Sequence, residues 1–443
     1  MRNATYPLIA ALALLLGLQA KAQEKEKNNH FSIDIQMLSR GEIRDGGMSD
    51  RAKAQDGTPI SDHCAFLLGR TRVALEYTRP HIQIRAVPQH AAIWGQGDAG
   101  SLAIYEAWAK FTTNNGLFAQ LGRQALSYDD ERIVGPDDWS MTGNTHDVLR
   151  LGYEGHGHKV HAVVAYNQNP ENTVLGGSYY TGGSQPYKTM QIGWYHYDVP
   201  VFPLGASLLV MNIGMQSGER GEEDECVKWQ QVLGTYVKYH PERWSVEAAY
   251  YKQMGENEMR QKIDAWMASV KASVDPSEVF GFDVGYDYLS GDDKFAVPKG
   301  KDIGLIRHTV IKGFSPVYGS HHKFYGAMDF FYVSAYRNGF SPGLQNAYIS
   351  GRVKPIKNLS MGLSYHYLAI TADITDQVAP TLGHEFEFQA GWNFLKDASL
   401  SVGVSYMFGT DTMKQLKRAS EDGRLFWTWI TLSVAPRVLN HQW

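Results

Sequence analysis

The chain has 443 residues, with 42 Lys and Arg against 46 Asp and Glu, so its formal net charge is −4. A mildly acidic chain is not expected to bind nucleic acid, which requires a basic surface. Its mean hydropathy of −0.34 is like that of a soluble protein. Strands that alternate apolar and polar residues give the same average in a membrane barrel, however, so the value does not exclude one.

Residues 1–22 predict a secretory leader. They combine a positively charged start, an apolar core at residues 8–18 that is too short to span a bilayer, and a small-residue cleavage site at residues 20–22. Without the leader, residues 23–443 carry a net charge of about −6. These residues contain no long apolar run, and we expect them to form one unit.

Beyond the leader, period-two alternation is the main signal. In residues 66–77 the even positions include Arg70 and Arg72, whereas the odd positions are mostly apolar. The same alternation recurs in about a dozen later segments of about ten residues, which is typical of transmembrane β-strands. Helical patterns are nearly absent; residues 256–266 are the best helical candidate, and their second half also fits a strand.

The connections alternate between short turns, such as residues 78–80, and long loops, such as residues 41–63. Counting strands on this basis gives about 18, an even number as expected for a bacterial barrel. An additional apolar run at residues 322–333 would make the number odd, so we assign it to an inserted loop, residues 291–343, folded into the lumen. The predicted fold is therefore all-β: a single transmembrane antiparallel β-barrel of about 18 strands, with long extracellular loops folded inward.

The connection at residues 127–145 is rich in Asp, Gly, Pro, Ser, Thr and Asn, yet it includes Tyr128, Ile133 and Trp139, which require packing partners. Long loops of this kind tend to be functional. We interpret it as a loop folded into the mouth or lumen of the barrel, where it would gate or constrict the path together with residues 291–343. A surface loop with a few anchoring apolar residues is the alternative.

This region resembles a known family. The pattern comprises Glu106, Trp108, Leu121, Gly122, Arg123, Gln124, Tyr128, Arg132, Gly135, Trp139, Gly143, Asp147 and Arg150. It is similar to the signature of alginate-export-type outer-membrane barrels of Bacteroidetes-type bacteria, clearly over residues 65–155 and diffusely afterwards. The resemblance implies an 18-stranded barrel in the outer membrane of a Gram-negative cell that conducts an anionic substrate. Its partners would be outer-membrane lipid, lipopolysaccharide and the barrel-assembly machinery.

Arginines occur on the strands before and after this loop. If the even face of residues 66–77 points inward, a basic ladder could line one wall of the lumen, formed by Arg70, Arg72, Arg85, Arg123 and Arg150. Inward is the cheaper orientation because charges that face lipid are costly. Arginine rings suit anion pores, since the guanidinium binds carboxylates in a bidentate manner. Alternatively, acidic residues neutralise these arginines and stiffen the wall: Glu76, Glu106, Asp129, Asp130 and Asp147.

Catalytic patterns such as a nucleophile elbow or a P-loop are missing from the sequence. His146 and Asp147 are adjacent, so on a strand they face opposite ways and cannot form a dyad directly. We expect no catalytic residue, no cofactor and no resident metal. Cys64 and Cys226 could pair as a disulfide in an oxidising compartment.

The function predicted is passive diffusion of anionic small molecules or polysaccharide, with uronate-type saccharides as candidates. The alternatives are a general, non-selective porin and an outer-membrane hydrolase that uses His321 or His322. A secreted sugar-binding β-sandwich is a third alternative, which would require separable domains and no lipid-facing band.

Overall fold

The computed structural model describes residues 28–46, 63–96, 100–183, 185–292, 310–331, 341–372, 379–417 and 423–443. The predicted leader, residues 1–22, lies outside the described residues. Most of the described chain is β-strand.

The described residues contain twenty strands that form one continuous sheet. The first ten are β1 His30–Asp45, β2 His63–Arg79, β3 Ile82–Ile93, β4 Ser101–Thr112, β5 Leu117–Gln124, β6 His146–Gly155, β7 His158–Tyr166, β8 Thr189–Asp198, β9 Leu204–Ser217 and β10 Cys226–Tyr239. The last ten are β11 Trp244–Glu256, β12 Lys262–Val274, β13 Phe280–Leu289, β14 Val310–Ile311, β15 Leu344–Ile356, β16 Leu359–Ala369, β17 Thr381–Leu395, β18 Ala398–Gly409, β19 Arg424–Val434 and β20 Arg437–Gln442.

In the described residues, helical structure is limited to two short α-helices, Asn172–Leu175 and Asp411–Leu416, and one 3-10 turn, His321–Lys323. No helix in the described part of the chain is long and apolar enough to cross a membrane.

The sheet closes on itself through β1. This strand pairs with β2 along its whole length, and its second half pairs with β19. Its first half pairs with β20, which continues the path of β19 after a break at Ala435 and Pro436. β14 is only two residues long and lies parallel to the first two residues of β12. With β20 counted as the continuation of β19 and β14 as an addition, the barrel has 18 antiparallel strands, which confirms the expected number.

The outer face of the barrel is apolar. Side chains such as Leu102, Leu121, Phe282 and Leu363 alternate with lumen-facing residues and are well exposed. A soluble protein rarely leaves a continuous apolar surface of this kind open to water. An outward apolar band is what lipid covers in a transmembrane barrel, and it places this barrel in a membrane.

One end of the barrel carries the short turns and the C terminus. Two-residue turns join neighbouring strands at residues 80–81, 156–157 and 396–397, and His30 pairs there with Gln442. The long connections emerge at the other end. Outer-membrane barrels keep short turns on the periplasmic side, so the long connections face the cell exterior.

The hydrophobic core lies inside the barrel because two connections fold into the lumen. We call residues 125–145, between β5 and β6, the first lumen segment, and residues 313–331, between β14 and β15, the second lumen segment. The segments contribute Leu126, Tyr128, Ile133, Val134, Phe314 and Tyr318 to one buried cluster with wall residues that include Met190, Leu209, Met211, Tyr251 and Met267. The inward folding of the long loops is therefore confirmed for the described residues.

One local expectation is wrong, because β1 continues to Asp45 where a loop was expected from residue 41 onward. For residues 256–266, the strand alternative for the second half is correct, since β12 begins at Lys262. Cys64 and Cys226 are free thiols. They lie on β2 and β10, which are nearly opposite in the ring of strands, so the two thiols cannot reach each other.

Candidate solute pathway

The first lumen segment leaves β5 at the extracellular end and is fixed first to the wall formed by β8 and β9. The Asp129 carboxylate accepts hydrogen bonds from the Trp194 indole N–H (2.9 Å) and from the Ser207 hydroxyl. Burial raises the pKa of Asp129, and these two hydrogen bonds partly offset that effect. Asp129 therefore anchors the segment to the wall. Its partners are these two neutral groups, so it does not neutralise an arginine as the alternative for the acidic residues had it.

Arg132 fixes the middle of the segment. Its guanidinium forms ion pairs with Asp130 (3.1 Å) and with Asp287 on β13 (3.1 Å), and donates a hydrogen bond to the Tyr325 hydroxyl (2.9 Å). Burial alone would lower the pKa of Arg132, but Asp287, Tyr325 and Asp130 raise it well above its ordinary value. Arg132 is thus permanently charged, and its side chain is buried among these three partners, which gives it a structural role.

The tip of the segment reaches the opposite wall. The Asp138 carboxylate, whose side chain is 50% exposed, forms ion pairs with both Arg70 (3.2 Å) and Arg72 of β2. Arg70 also donates to the main-chain oxygens of Asp138 (3.1 Å) and Ser140 (3.1 Å). The side chains of Arg70 and Arg72 are only 1% and 9% exposed. The inward orientation expected for these arginines is therefore correct, but the tip of the segment covers them.

Trp139, next to Asp138, joins three parts of the molecule. The Arg40 guanidinium of β1 lies 4.1 Å from its ring centroid and donates to its carbonyl oxygen (3.0 Å). The His322 ring of the second lumen segment stacks on Trp139 at 4.0 Å, and Trp429 of β19 meets it edge-on at 4.9 Å. These contacts hold the tip of the first lumen segment close to the seam where β19 meets β1.

The second lumen segment is fixed to β17 through two buried glutamates. Glu385 accepts a hydrogen bond from the backbone N–H of Met328 (2.9 Å), and Glu387 accepts one from the N–H of Ala327. The turn that presents these two N–H groups includes Gly326, which has a positive φ of 92°. A Cβ at Gly326 would come within 2.4 Å of the Glu385 carboxylate, so glycine is required for this close approach.

The two lumen segments also bond to each other. The N–H of Tyr318 donates to the carbonyl of Ile133 (3.0 Å), and the N–H of Gly135 donates to the carbonyl of Tyr318 (2.9 Å). Glu131 accepts hydrogen bonds from the Lys323 ammonium and from the Ser320 hydroxyl. The segments therefore form one connected constriction across the lumen.

Arg85 of β3 faces the lumen on the periplasmic side of this constriction. It is bound by two carboxylates, Glu76 of β2 (2.9 Å) and Glu106 of β4 (2.8 Å). Glu106 also accepts the Trp108 indole N–H (3.2 Å). In this part of the wall Glu76 and Glu106 neutralise the arginine. This agrees with the alternative that acidic residues neutralise the ladder arginines and stiffen the wall.

Three neighbouring strands place a second set of polar side chains in one lumen-facing row. Lys110 of β4 is paired in register with Gln120 of β5, and Gln120 with Arg150 of β6. Arg150 donates to the Gln120 amide oxygen (2.7 Å), and both cations lie against the Phe118 ring, at 4.3 Å for Lys110 and 5.4 Å for Arg150. Among the described residues neither cation has a carboxylate in ion-pair contact.

Arg123 and Asp147 are a correction to the predicted ladder. They form an ion pair (2.6 Å) on the outer face of β5 and β6, next to the lipid-facing Leu121 and not in the lumen. The strand period explains the error, because Arg123 shares its parity with Leu121, whereas Gln120 and Gln124 face inward. The alternation of Gln120, Leu121 and Arg123 in the sequence is therefore sufficient to place Arg123 on the outer face.

Several residues that shape the lumen were not predicted: Arg40, Lys110, Gln120, Asp138, Asp287, Glu385 and Glu387. The alternation of Glu106, Trp108 and Lys110 was a usable signal for Lys110. The others depend on contacts between strands and segments that are far apart in the chain. In the described part of the chain, no group of three or more His, Cys, Asp or Glu side chains is placed to hold a metal ion.

The profile of the alginate export family matches residues 20–424. No curated protein matches the chain.

Solved structures share the fold at low sequence identity. Pseudomonas aeruginosa OccK11 (OpdR) superposes with a TM-score of 0.60 at 11% identity, covering 95% of this chain and 100% of that one. P. aeruginosa OccK5 (OpdH) gives 0.59 at 10%, covering 92% and 99%. P. aeruginosa OccK2 (OpdF) in complex with glucuronate gives 0.58 at 12%, covering 92% and 97%.

The family profile spans nearly the whole chain, and the closed 18-stranded barrel has the apolar outer band of a protein embedded in the Gram-negative outer membrane. The chain therefore belongs to the alginate export family, as the resemblance of its signature region implied.

Proposed function

We propose that this barrel is a passive diffusion channel for anionic solutes, constricted by its two lumen segments. The observation that carries the proposal is the row formed by Lys110, Gln120 and Arg150. It presents two cations and an amide to the lumen, and neither cation is paired with a carboxylate among the described residues.

The chemistry of this row suits a carboxylate. Arginine binds carboxylates through parallel N–H donors, and a lysine ammonium adds a second positive charge nearby. A lumen with low-dielectric walls concentrates the field of such charges and raises the local concentration of anions. Arg85 contrasts with this row, because it is already ion-paired with two carboxylates, Glu76 and Glu106. It therefore adds little positive potential to the lumen.

Uronate-type saccharides are the first solutes to test. They combine one carboxylate with several hydroxyl groups. The Gln120 amide could bind these hydroxyls, and so could Glu154 of β6, which is close enough to Lys110 to act on it electrostatically. The complex of OccK2 with glucuronate supports this choice by showing that a barrel of the same fold accepts a uronate.

The tip of the first lumen segment supports a gating role. Asp138 places its own carboxylate on Arg70 and Arg72, where the carboxylate of a solute would otherwise bind. A solute that competes for these arginines would loosen the tip. The gate would then respond to the ligand that it admits.

The test compares two arginines on adjacent strands and opposite sheet faces. Arg150→Ala removes a lumen charge, and Arg123→Ala makes the same chemical change on the outer face. Reversal potentials are measured in planar bilayers under a roughly tenfold KCl gradient at low ionic strength, where screening is weak. We expect anion selectivity that falls in Arg150→Ala and is unchanged in Arg123→Ala. Cation preference in the unmodified protein would overturn the anion proposal, and an absence of conductance would overturn the channel.

The hydrolase alternative is not favoured by the contacts of its candidate residues. His322 bonds through Nδ1 to Asp329 (2.8 Å) and stacks on Trp139, while the Ser320 hydroxyl donates to Glu131. These groups join the two lumen segments to each other. No serine or cysteine is hydrogen-bonded to His322 among the described residues, so transport remains the proposal.

We further propose that the barrel-assembly machinery inserts the chain and that outer-membrane lipid, including lipopolysaccharide, surrounds it. The apolar outer band supports the contact with lipid. Depletion of the assembly machinery in the host cell is expected to reduce the heat-modifiable, folded form on gels. An unchanged folded fraction would contradict insertion by the assembly machinery.

A further inference from the structure

Three amide side chains lie side by side on the outer face of the barrel. Gln191 of β8 is paired in register with Asn212 of β9, and Asn212 is paired with Gln231 of β10. Directly paired residues of antiparallel strands share one face of the sheet. This face is the outer one, because the neighbours of Asn212 along β9, Met211 and Ile213, are buried in the lumen core. We call Gln191, Asn212 and Gln231 the amide row.

The amide row lies inside the apolar band. Outward residues on β9 run from Ala206, near the periplasmic end, to Asn212, six residues further on. At about 3.4 Å per residue and a strand tilt of about 40°, this is a rise of about 16 Å in a band of about 25 Å. One step toward the periplasm, Val210 is 53% exposed to lipid. One step toward the exterior, the rings of Tyr166 and Trp229 are 61% and 39% exposed, and such aromatic rings mark the boundary with the headgroups.

The amides hydrogen-bond along the row. Gln231 donates through Nε2 to Asn212 Oδ1, and Asn212 donates through Nδ2 to Gln191 Oε1, both at 2.8 Å. Gln191 in turn donates to the Thr189 hydroxyl (2.8 Å). A primary amide has two N–H groups, yet in the described part of the chain each of these three nitrogens has a single acceptor. The second N–H of each amide must therefore find an acceptor outside the barrel, where acyl chains offer none.

The surface beside the amide row is low. Ala162 of β7 is paired with Gly193 of β8 on the periplasmic side of Gln191, and a Cβ at Gly193 would meet no atom within 4 Å. Association of helices in membranes relies on small residues that permit close approach and on polar side chains that hydrogen-bond across the contact. The outward face of β7–β10 combines both features.

We propose that the outward face of β7–β10 binds a second copy of this chain in the plane of the membrane. An amide both donates and accepts, so the amide row is complementary to itself. A two-fold axis along the membrane normal would place Asn212 of one copy opposite Asn212 of the other, at the same depth, and each row would then supply acceptors for the N–H groups of the other. Every copy of the chain brings this surface to that depth, whereas a different membrane protein would need a matching row of its own.

The first test is disulfide cross-linking of the full-length protein in outer membranes. Cys64 and Cys226 are replaced by serine, and one new cysteine is introduced by Val210→Cys, which leaves the amide row intact. The matched control is Ile430→Cys, since Ile430 is 49% exposed on the outer face of β19, on the opposite side of the ring of strands. We expect a product of twice the monomer mass from Val210→Cys and none from Ile430→Cys, because a disulfide requires close approach of the two backbones. Equal cross-linking in both variants, or a product with a different protein, would overturn the proposal.

The second test measures the dissociation constant of the dimer in liposomes by counting labelled subunits over a range of protein-to-lipid ratios. In Gln191→Leu/Asn212→Leu/Gln231→Leu we expect this constant to rise about tenfold or more, because hydrogen bonds between polar side chains support association in a membrane. The control is Thr428→Val, which removes an outward hydroxyl of β19 that donates to the carbonyl of Gly403 (2.9 Å) and should leave the constant unchanged.

Heat-modifiable mobility on gels confirms that each variant has folded. Single barrels at every protein-to-lipid ratio, or equal association of the leucine variant and the unmodified protein, would overturn the proposal. All of the substituted side chains of the amide row face away from the lumen. The outcome is therefore independent of whether the channel prefers anions.

Discussion

Arg132 of the first lumen segment forms an ion pair with Asp287 of β13 at 3.1 Å, with side chains only 5% and 2% exposed. The segment leaves the barrel wall between β5 and β6, and β13 lies nearly opposite in the ring of strands. The pair therefore connects the constriction to the far wall. A buried charge of this kind is stable only while its partner is present.

Removal of one partner is expected to release the segment. Asp287→Ala leaves the Arg132 charge with Asp130 alone, and the loss of one partner of a buried pair costs about 3–5 kcal/mol. We expect a lower unfolding temperature, measured by heat-modifiable mobility on gels, and a larger, noisier single-channel conductance.

The matched control for this variant is Asp275→Ala, which removes one exposed partner of Arg352 at the periplasmic rim. Exposed pairs contribute about 0–1 kcal/mol, so this variant should unfold and conduct like the unmodified protein. An Asp287→Ala channel with unchanged conductance and stability would show that the pair does not hold the constriction.

Strand alternation predicted a large part of this fold because its period is local. The pattern around Arg70 and Arg72 placed both side chains in the lumen, and the alternation of short and long connections gave the number of strands. The same rule, applied to Leu121 and Arg123, would have placed Arg123 on the lipid side. The ladder grouped Arg123 with the other arginines by their position around the loop, without applying the strand period to Arg123 itself.

The partners of the lumen arginines could not be predicted in the same way. Arg70 meets Asp138 across 68 residues of sequence, and Arg132 meets Tyr325 across 193. Such pairs depend on how far each connection folds into the lumen, which no local pattern encodes. Of the acids that the sequence offered as neutralising partners, four do pair with arginines: Glu76, Glu106, Asp130 and Asp147. Asp129 binds Trp194 and Ser207 instead. Asp138, which pairs with both Arg70 and Arg72, is the acid that the sequence did not indicate.

Asp138 is expected to limit anion selectivity. Asp138→Asn removes the carboxylate shared by Arg70 and Arg72, so the ratio of anion to cation permeability should rise. A change of about 0.7 kcal/mol in the relative barriers would give about a threefold effect. Arg70→Ala/Arg72→Ala should lower the ratio, and Asp147→Asn, on the outer face, should leave it unchanged. A rise in Asp147→Asn equal to that in Asp138→Asn would contradict a lumen effect.

The two cysteines are expected to react as independent thiols. Cys64 is exposed and Cys226 is half-buried, and they lie on strands at opposite sides of the barrel. Denatured protein that has never met a reductant should therefore gain two maleimide labels in mass spectrometry. In the folded protein Cys64 should label first. A protein that gains labels only after reduction would show that a disulfide forms.

The contact between the lumen segments depends on the charge of Glu131. Burial alone would raise the pKa of this carboxyl group, but hydrogen bonds from Lys323 and Ser127 outweigh it and lower the pKa below its ordinary value of 4.5. A carboxylate whose pKa is lowered by folding stabilises the folded contact above that ordinary value. This stabilisation is lost as the pH falls through the lower pKa that Glu131 has in the folded protein.

Channel noise is therefore expected to stay constant between about pH 5 and 8 and to increase below the ordinary pKa of Glu131, as the link to Lys323 is lost. Glu131→Gln should show the noisy state already at neutral pH. The control is Asp137→Asn: burial raises the pKa of Asp137, so its protonation occurs at higher pH and favours the folded contact. This variant should keep the low-pH transition. If the increase in noise at low pH persisted in Glu131→Gln and disappeared in Asp137→Asn, the pH dependence would belong to Asp137 and not to Glu131.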